Sequence, residues 1–286
     1  MTDTEIATER ELGPTAGAAS DRPRLLADFD RAAARYDLMV ALNPGYHRHL
    51  RSAATALMDR LPSPDRGSPD RGSPDRGVSD RGAPSLLDLG CGSGASTRAL
   101  LAAEGRVLAP SIVAVDASAG MLARARDKDW PGDVRFRQGL AQDLPSRHGD
   151  WGIRAPLDGA FAAYLFRNLP GAGAAGHSVR DDVLQAVRDL LRPGGVFVTQ
   201  EYSLDGSRSA RVRWTAVCRA VVMPLSRLTR TDVALYDYLW HSVLSFDSVE
   251  RFADRLWRAG FVDVEVRTVR GWQHGILHTF RARVPC

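Results

Sequence analysis

Three closely spaced glycines follow an apolar run near residue 86 and could hold a cofactor. The stretch LLDLGCGSGAST, Leu86 to Thr97, places Gly90, Gly92 and Gly94 between a predicted strand and a predicted helix. Because glycine has no Cβ, the backbone at such positions can approach a ligand closely. The spacing Gly-x-Gly-x-x-Ala also fits the relaxed dinucleotide fingerprint, so the glycines alone leave two classes of cofactor open.

Two carboxylates help to separate these classes. Asp116 ends the second predicted strand, where it could accept hydrogen bonds from both hydroxyls of a ribose in either class. Asp88 lies inside the first strand, where it could help to fix an amino-acid ammonium but would repel a pyrophosphate. These residues favour a cofactor without phosphate. A nicotinamide cofactor and a tight turn that binds nothing stay open as alternatives.

The elements that must position these residues alternate along the chain. Strands are predicted at 85–90, 111–116, 133–139, 156–166 and 195–203, and helices at 95–104, 118–128 and 180–191, with a turn at Arg192–Gly195. A helix at 248–260 precedes strands at 262–270 and 275–283, which are close enough to pair antiparallel. The sequence therefore predicts an α/β fold, a Rossmann-like sheet of about seven strands with helices on both faces.

The chain divides into four parts by pattern. Residues 1–22 show no periodicity and are predicted to be a disordered tail, and residues 23–62 form an N-terminal helical cap. The linker at 63–84 contains the pentapeptide SPDRG three times and a degenerate fourth copy, in which Pro and Gly oppose regular structure. Residues 85–286 form the cofactor-binding core, with a lid segment at 204–247.

Composition limits the partners. The 286 residues carry a net charge of +4 with 34 interspersed acids, which argues against a nucleic-acid partner. Cys91, Cys218 and Cys286 lack metal-binding spacing, so we expect no metal and a reducing cytoplasm. The arginine-rich stretch Ser207–Arg230 contains no acid and is either a lid with a solvated face or a surface that touches anionic lipid. Peripheral contact with the inner face of a membrane, and a homodimer, are left open.

The motifs resemble a known family. LLDLGCGSG and IVAVDASAGMLARAR (112–126) resemble the first two motifs of class I S-adenosylmethionine-dependent methyltransferases. The further segments resemble, in the same order, the ubiquinone/menaquinone biosynthesis C-methyltransferase family: FDRAAARYDLM (29–39), LNPGYHRHLR (42–51), LFRNLPG (165–171), QEYS (200–203), YDYLWHSVLSF (236–246) and HGILH (274–278). The resemblance covers about 25–283 without the repeat.

The resemblance implies S-adenosyl-L-methionine as the cofactor. The glycine loop would line its methionine and ribose, Asp116 would bind the ribose hydroxyls, and Ala163 and Tyr164 would pass under the sulfonium. The implied cofactor-binding set is Asp88, Gly90, Gly92, Ser93, Gly94, Asp116, Ala117, Met121, Leu140, Ala141, Ala163 and Tyr164. Leu140 stands where the family has an acid that accepts from the adenine amine, and Gln142 or Asp143 could substitute for it.

The resemblance also implies a small lipophilic acceptor, a prenylated quinol such as demethylmenaquinol, which is methylated on a ring carbon. A base that removes a phenol proton would help this reaction, and Arg167 and Asn168 could hold the phenolate oxygen. The candidate bases are His47, His241 and His278. The predicted catalytic residues are His47, His241, Arg167 and Asn168, and the predicted acceptor-binding residues are Tyr36, Arg167, Asn168, Tyr238 and His278. Each histidine, and the Arg-Asn pair, could instead be purely structural.

Two departures bear on the acceptor. Val40 and Leu165 replace the family's usual asparagine and glycine, and we expect both to face the acceptor. They leave open an alternative acceptor: an isoprenoid or an aromatic natural-product precursor, which would be methylated on carbon or oxygen. A methyltransferase-like fold that binds without catalysis is the remaining alternative.

Overall fold

A seven-stranded sheet forms the centre of the protein. The computed structural model describes residues 45–61, 83–103, 109–170, 178–204, 206–224 and 233–286. The strands are β1 (Ser85–Leu89), β2 (Ser111–Asp116), β3 (Val134–Gln138), β4 (Leu157–Ala163), β5 (Leu191–Tyr202), β6 (Val262–Thr268) and β7 (Leu277–Arg283). Their order is β3-β2-β1-β4-β5-β7-β6; β1 to β5 pair in parallel, and β7 pairs antiparallel with both β5 and β6. The predicted sheet with its closing antiparallel pair is confirmed.

Helices cover both faces of this sheet, as predicted. They are α1 (Tyr46–Met58), α2 (Ala95–Ala102), α3 (Ala119–Arg126), α4 (Leu144–Arg147), α5 (Val179–Leu190), α6 (Arg208–Val217), α7 (Val233–Leu244) and α8 (Val249–Arg258). Short 3₁₀ turns occupy Ala141–Asp143 and Phe166–Asn168. Ser118, Ser207 and Ser248 begin α3, α6 and α8, and each side chain accepts a hydrogen bond from the amide three residues on, which satisfies a donor that the helix leaves unpaired.

The helix α1 packs directly on the sheet. Leu50, Ala54 and Leu57, spaced three to four residues apart, are at most 1% exposed. A Cβ built at Gly159 of β4 would lie 3.0 Å from Leu57 and 3.3 Å from Leu61, so the missing side chain lets the helix approach the strand. The buried face of α1 therefore belongs to the same core as the sheet.

Two predicted boundaries differ from the structure by three residues or more, both at the ends of strands. The turn predicted at Arg192–Gly195 lies inside β5: Leu191 already pairs with Leu157, and the register then jumps to the pair Gly159 and Val196. The extra residues of β5 form a bulge, although their sequence is one that predicts a turn. The fourth strand ends at Ala163 rather than at Phe166, because Tyr164 adopts a left-handed φ of 58° that stops the strand.

Several predictions fall outside the described residues. They are the tail at 1–22, the cap before residue 45 with Tyr36 and Val40, and the repeat at 63–82. The predicted lid is described at 206–224, where α6 continues into a π-helical turn at Cys218–Val222, and from 233 onwards. Among the helices of the described ranges, none is long and apolar enough to cross a bilayer.

Candidate functional site

The glycine loop between β1 and α2 forms the first wall of the site. The amides of Gly90 and Cys91 donate to the carbonyl of Val115 at 2.8 and 3.1 Å, which anchors the loop to β2. Gly92 has a φ of 55°, and no described atom lies within 4 Å of a Cβ built there. The loop therefore presents bare backbone to open space at Gly92, as a ligand cradle requires.

Asp116 fastens this loop from the end of β2. Its Oδ2 accepts the amide of Gly92 at 2.8 Å, and its Oδ1 accepts the amide of Ser118 at 2.9 Å. A carboxylate oxygen can accept more than one hydrogen bond, so this side chain could also accept from a hydroxyl of a ribose. One side chain thus shapes the cradle and offers charge to a ligand.

The segments that follow β2 and β3 meet beside Asp116. The side chain of Gln138 donates to the carbonyl of Ala117 at 3.2 Å, and the amide of Gly139 donates to the carbonyl of Asp116 at 2.9 Å, so the two segments are joined. Met121, in the first turn of α3, and Ala141, in the 3₁₀ turn after β3, are both buried.

Asp88 is buried behind the glycine loop rather than displayed on it. It is 0% exposed, and its Oδ2 accepts the hydroxyls of Ser96 at 2.8 Å and Thr97 at 2.6 Å, which ties the first turn of α2 to β1. Its Oδ1 has no hydrogen-bond partner among the described residues. Burial raises the pKa of Asp88 to about 6, although both hydroxyls lower it. The unpaired oxygen is an acceptor that a cation could satisfy.

A row of stacked aromatic rings begins at the end of β4. Tyr164 stacks on Tyr46 of α1, with ring centroids 5.4 Å apart, and on Tyr202 of β5 at 5.2 Å. Trp214 of α6 follows Tyr202 at 5.2 Å. We call these four residues the aromatic row. The row leads from the end of β4 to the predicted lid. All four rings are at most 8% exposed and belong to one core cluster, so an apolar or aromatic acceptor could meet only the edge of the row.

Arg167 and Asn168 lie on the 3₁₀ turn after Tyr164. Arg167 Nη1 and Asn168 Nδ2 donate to the Tyr164 carbonyl at 3.1 and 2.9 Å, and the guanidinium carbon lies 5.8 Å from the ring centroids of both Tyr164 and Tyr202. The hydroxyl of Tyr238, from α7, donates to Asn168 Oδ1 at 3.4 Å. A left-handed φ is strained for a tyrosine, and such strain is concentrated at functional sites. The structure thus brings three of the predicted acceptor-side residues together.

Comparisons with known proteins agree with this geometry. A family model described as a methyltransferase domain matches residues 87–197. A ubiquinone/menaquinone biosynthesis C-methyltransferase of Bradyrhizobium diazoefficiens is 30% identical over 261 residues, 88% of each chain. A demethylmenaquinone methyltransferase of Clavibacter sepedonicus is 30% identical over 187 residues, 64% of this chain and 68% of the relative.

The chain belongs to the ubiquinone/menaquinone biosynthesis C-methyltransferase family. It is an S-adenosylmethionine-dependent methyltransferase. The fold agrees: the N-methyltransferase NodS of Bradyrhizobium japonicum, solved with S-adenosylhomocysteine, aligns with a TM-score of 0.54 at 15% identity, over 92% of this chain and 99% of that one. The resemblance stated from the motifs is confirmed.

The residues present fit the cofactor of this methyltransferase family. Gly92 offers a cradle that a side chain would fill, and the carboxylate of Asp116 stands at its edge as a charged hydrogen-bond acceptor. The orphan Oδ1 of Asp88 lies behind the same loop, where a positively charged amino group would satisfy it.

The predicted histidines occupy different environments. His47 on α1 and His241 on α7 have exposed rings, which lie edge-on to Tyr46 and against Trp240, respectively. His278 is buried, and its Nε2 lies 3.1 Å from the carbonyl of Ser203, so that nitrogen carries the proton. Burial lowers the pKa of His278, which keeps its ring neutral near pH 7.

Several polar residues of the site were missed at the sequence level. Gln200 accepts the hydroxyl of Tyr164 at 3.0 Å and donates to the carbonyl of His49 at 3.1 Å, and Gln273 donates to the hydroxyl of Tyr202 at 3.1 Å. His49, Gln200 and Gln273 are all buried. The signal for Gln200 was present: a polar residue in an otherwise apolar central strand is a candidate for function.

Proposed function

We propose that this methyltransferase transfers a methyl group to a ring carbon of a prenylated quinol such as demethylmenaquinol. The observation that carries the proposal is the turn that holds Arg167 and Asn168 next to the aromatic row, at the end of β4, which pairs with β1. It places donors for a phenolate oxygen beside a group of packed aromatic rings. The names of the two relatives point in the same direction.

The chemistry assigns a role to each part of the site. The cofactor supplies an electrophilic methyl group on a positively charged sulfur. A phenol becomes a carbon nucleophile when it loses its proton, because the negative charge spreads to ring carbons. Arg167 and Asn168 would bind that oxygen and favour the ionised form, while the aromatic row would orient the ring and exclude water.

A neutral base near the acceptor would take the phenol proton. His47 and His241 stay candidates, but their rings are exposed, so an acceptor would have to cover them. His49 is buried two residues from His47, beside Gln200 and Gln273, and burial, followed by the charge of Arg48, lowers its pKa. Its Nδ1 has no partner among the described residues. We add His49 to the candidate bases and expect His49→Ala to reduce kcat more than His47→Ala; equal effects would remove it from the set.

Product analysis tests the acceptor. A short-chain demethylmenaquinol under reducing conditions, geranyl diphosphate and simple phenols are compared, with products identified by mass spectrometry and NMR. We expect a ring-methylated quinol. The alternative acceptor is an isoprenoid, which Leu165 favours: its side chain lies 3.1 Å from a Cβ built at Gly90 and makes that wall apolar. Methylation of geranyl diphosphate without any ring-methylated quinol would overturn the assignment.

We also propose that a membrane surface delivers the acceptor. Residues 206–224 contain Arg208, Arg211, Arg213 and Arg219 and no acid. Val212 is 67% exposed on α6, and Trp272, between β6 and β7, is 37% exposed. Arg213 Nη2 donates to the carbonyl of His274 at 2.7 Å, which brings these two surfaces together. A cationic surface with exposed apolar side chains suits an anionic bilayer.

Sedimentation with lipid vesicles tests this contact. We expect binding to phosphatidylglycerol vesicles but not to phosphatidylcholine vesicles, with a loss of binding as salt rises, because salt screens exposed charges. Val212→Asp should reduce binding, whereas Arg251→Glu, on the exposed face of α8, should not. Equal binding to both lipids, or equal losses in the two variants, would contradict the proposal.

A further inference from the structure

Two buried side chains of opposite charge hold the turn that carries Arg167 and Asn168. From β5, Glu201 Oε1 accepts the amide of Phe166 at 2.6 Å. From α5, Arg180 Nε donates to the carbonyls of Phe166 and Leu169 at 3.0 and 3.2 Å. Glu201 is 0% exposed and Arg180 is 7% exposed. The amide and carbonyl groups of one short turn are thus hydrogen-bonded by side chains from two different elements, β5 and α5.

Stability alone does not explain this arrangement. Burying a charge carries a large desolvation penalty, and neutral side chains could satisfy the same backbone groups. Glu201 Oε2 is buried without a hydrogen-bond partner among the described residues, so the carboxylate is not fully compensated. A costly buried charge beside a strained residue, Tyr164, is typical of a site whose geometry serves function.

The same turn is connected to the lid at two points. Tyr238 of α7 donates to Asn168 directly. Asp247, just beyond α7, pairs with Arg180 Nη1 at 3.1 Å and with Arg255 Nε at 2.7 Å. Arg180 therefore contacts both the backbone of the turn and the end of the lid helix.

We propose that Glu201 and Arg180 are positioning residues for the methyl acceptor, and that the ionised carboxylate of Glu201 is required to aim the donors of Arg167 and Asn168. The inference rests on the proposed function in one respect, that these donors bind an oxygen of the acceptor. We call Glu201 and Arg180 the turn clamp. Neither residue touches the reacting atoms; each acts through the backbone of residues 165–169.

The charge state of Glu201 decides whether the clamp is closed. The charged or titratable groups around it are Arg167 on the turn, Arg180 on α5 and His278, its cross-strand neighbour on β7, while Tyr238 on α7 lies near the same two arginines. Burial raises the pKa of Glu201 to about 7; Arg167, the amides of Phe166 and Leu165, and Arg180 oppose that rise. When the carboxyl is protonated it has fewer lone pairs for amides and leaves Arg167 without a balancing charge. The clamp therefore loosens as pH falls below about 7.

A pH profile of Glu201→Gln tests the proposal. The amide keeps an acceptor for Phe166 but cannot ionise. With saturating S-adenosylmethionine, we expect the wild-type kcat/KM to fall about tenfold per pH unit below about pH 7. Because the base that takes the phenol proton gives an acid limb of its own, the readout is the difference between variant and wild type: in Glu201→Gln the fall should begin at a lower pH. The kcat of Glu201→Gln at pH 8 should be about tenfold lower, with unchanged cofactor affinity by calorimetry. Glu265→Gln, the matched change on β6, should behave like the wild type. An acid limb with the same midpoint in Glu201→Gln and in the wild type would overturn the proposal.

A titration that needs no acceptor separates this inference from the proposed function. In the cofactor-bound wild-type enzyme labelled with ¹³C-glutamate, one carboxyl signal should titrate near pH 7 rather than near 4.5. Arg167→Met should raise the midpoint of that signal alone, which identifies it even if Glu201→Gln does not fold. If no quinol is methylated but this titration is seen, the acceptor assignment fails and the ionisation of the clamp stands. If all glutamate signals titrate near 4.5, the clamp fails whatever the acceptor is.

Discussion

At the scale of single residues, a substitution at Gly92 separates two effects: the cost of backbone strain on stability and the loss of space for a bound ligand. An alanine at Gly92 must adopt a φ of 55°, and its methyl group would point into the cradle. Gly132 has a similar φ of 88° and only an ordinary contact, and it lies before β3, away from the cradle. We expect Gly92→Ala and Gly132→Ala to lose about 1 kcal/mol of stability each, because both strain the backbone. Only Gly92→Ala should weaken S-adenosylmethionine binding, measured by calorimetry. If Gly92→Ala and Gly132→Ala bind the cofactor equally well, Gly92 does not contact the cofactor.

Asp116 carries a second residue-scale prediction. Its carboxylate accepts the amides of Gly92 and Ser118, and we expect it to accept the two hydroxyls of the cofactor's ribose as well. A hydrogen bond to a charged group contributes about 1.5–3 kcal/mol, so Asp116→Ala should weaken cofactor binding by about a hundredfold or more. Asp129→Ala, an exposed acid beyond α3, is the control and should bind normally. Retained affinity in Asp116→Ala would contradict the role given to β2.

At the scale of elements, the segment after α3 supports the glycine loop from outside the cradle. Lys128 Nζ donates to the carbonyl of Ser93 at 2.8 Å, and the ring of Trp130 covers Gly94. We expect Lys128→Met to weaken cofactor binding about fivefold, since one charged hydrogen bond on a partly exposed group stabilises the loop by about 1 kcal/mol. Arg126→Met, which loses a contact with Phe136 instead, should keep wild-type affinity. Equal cofactor affinities in the two variants would mean that Lys128 does not support the glycine loop.

The elements also show what the sequence could and could not predict. The bounds of β2, with Asp116 as its last residue, and the place of the glycine loop between β1 and α2 were predicted correctly, because short-range spacing determines them. The polar neighbours of the aromatic row were missed, because Gln200 meets His49 across 151 positions and Gln273 meets Tyr202 across 71. The bulge in β5 was misread, since Arg-Pro-Gly-Gly is an ordinary turn sequence unless the paired strand is known. Residues that are close in the sequence can therefore be assigned to one site from their spacing. Hydrogen-bond partners that lie on distant segments cannot, because only the order of the strands in the sheet brings them together.

At the scale of the whole molecule, two buried carboxyls should make stability depend on pH in an unusual direction. The pKa values of Glu201 and Asp88 are raised to about 7 and about 6. A raised folded-state pKa means that the folded protein binds the proton more tightly than the unfolded chain does. The contribution is therefore fully present below the unfolded pKa, about 4.5 for Glu201, and is lost as pH rises through about 7.

The variant Glu201→Gln measures this contribution directly. A difference between a pKa of 4.5 and one of about 7 corresponds to about 3 kcal/mol. Urea denaturation at pH 5, 6, 7 and 8 should show the free energy of unfolding of Glu201→Gln rising relative to the wild type by about that amount as pH increases. Glu265→Gln should shift the other way and weakly, because its hydrogen bond with Arg281 lowers the pKa of Glu265, which lies at the surface. If the free energies of unfolding of the wild type and Glu201→Gln change with pH in parallel, Glu201 is ionised at every pH tested. The turn clamp would then keep its hydrogen bonds over the whole range.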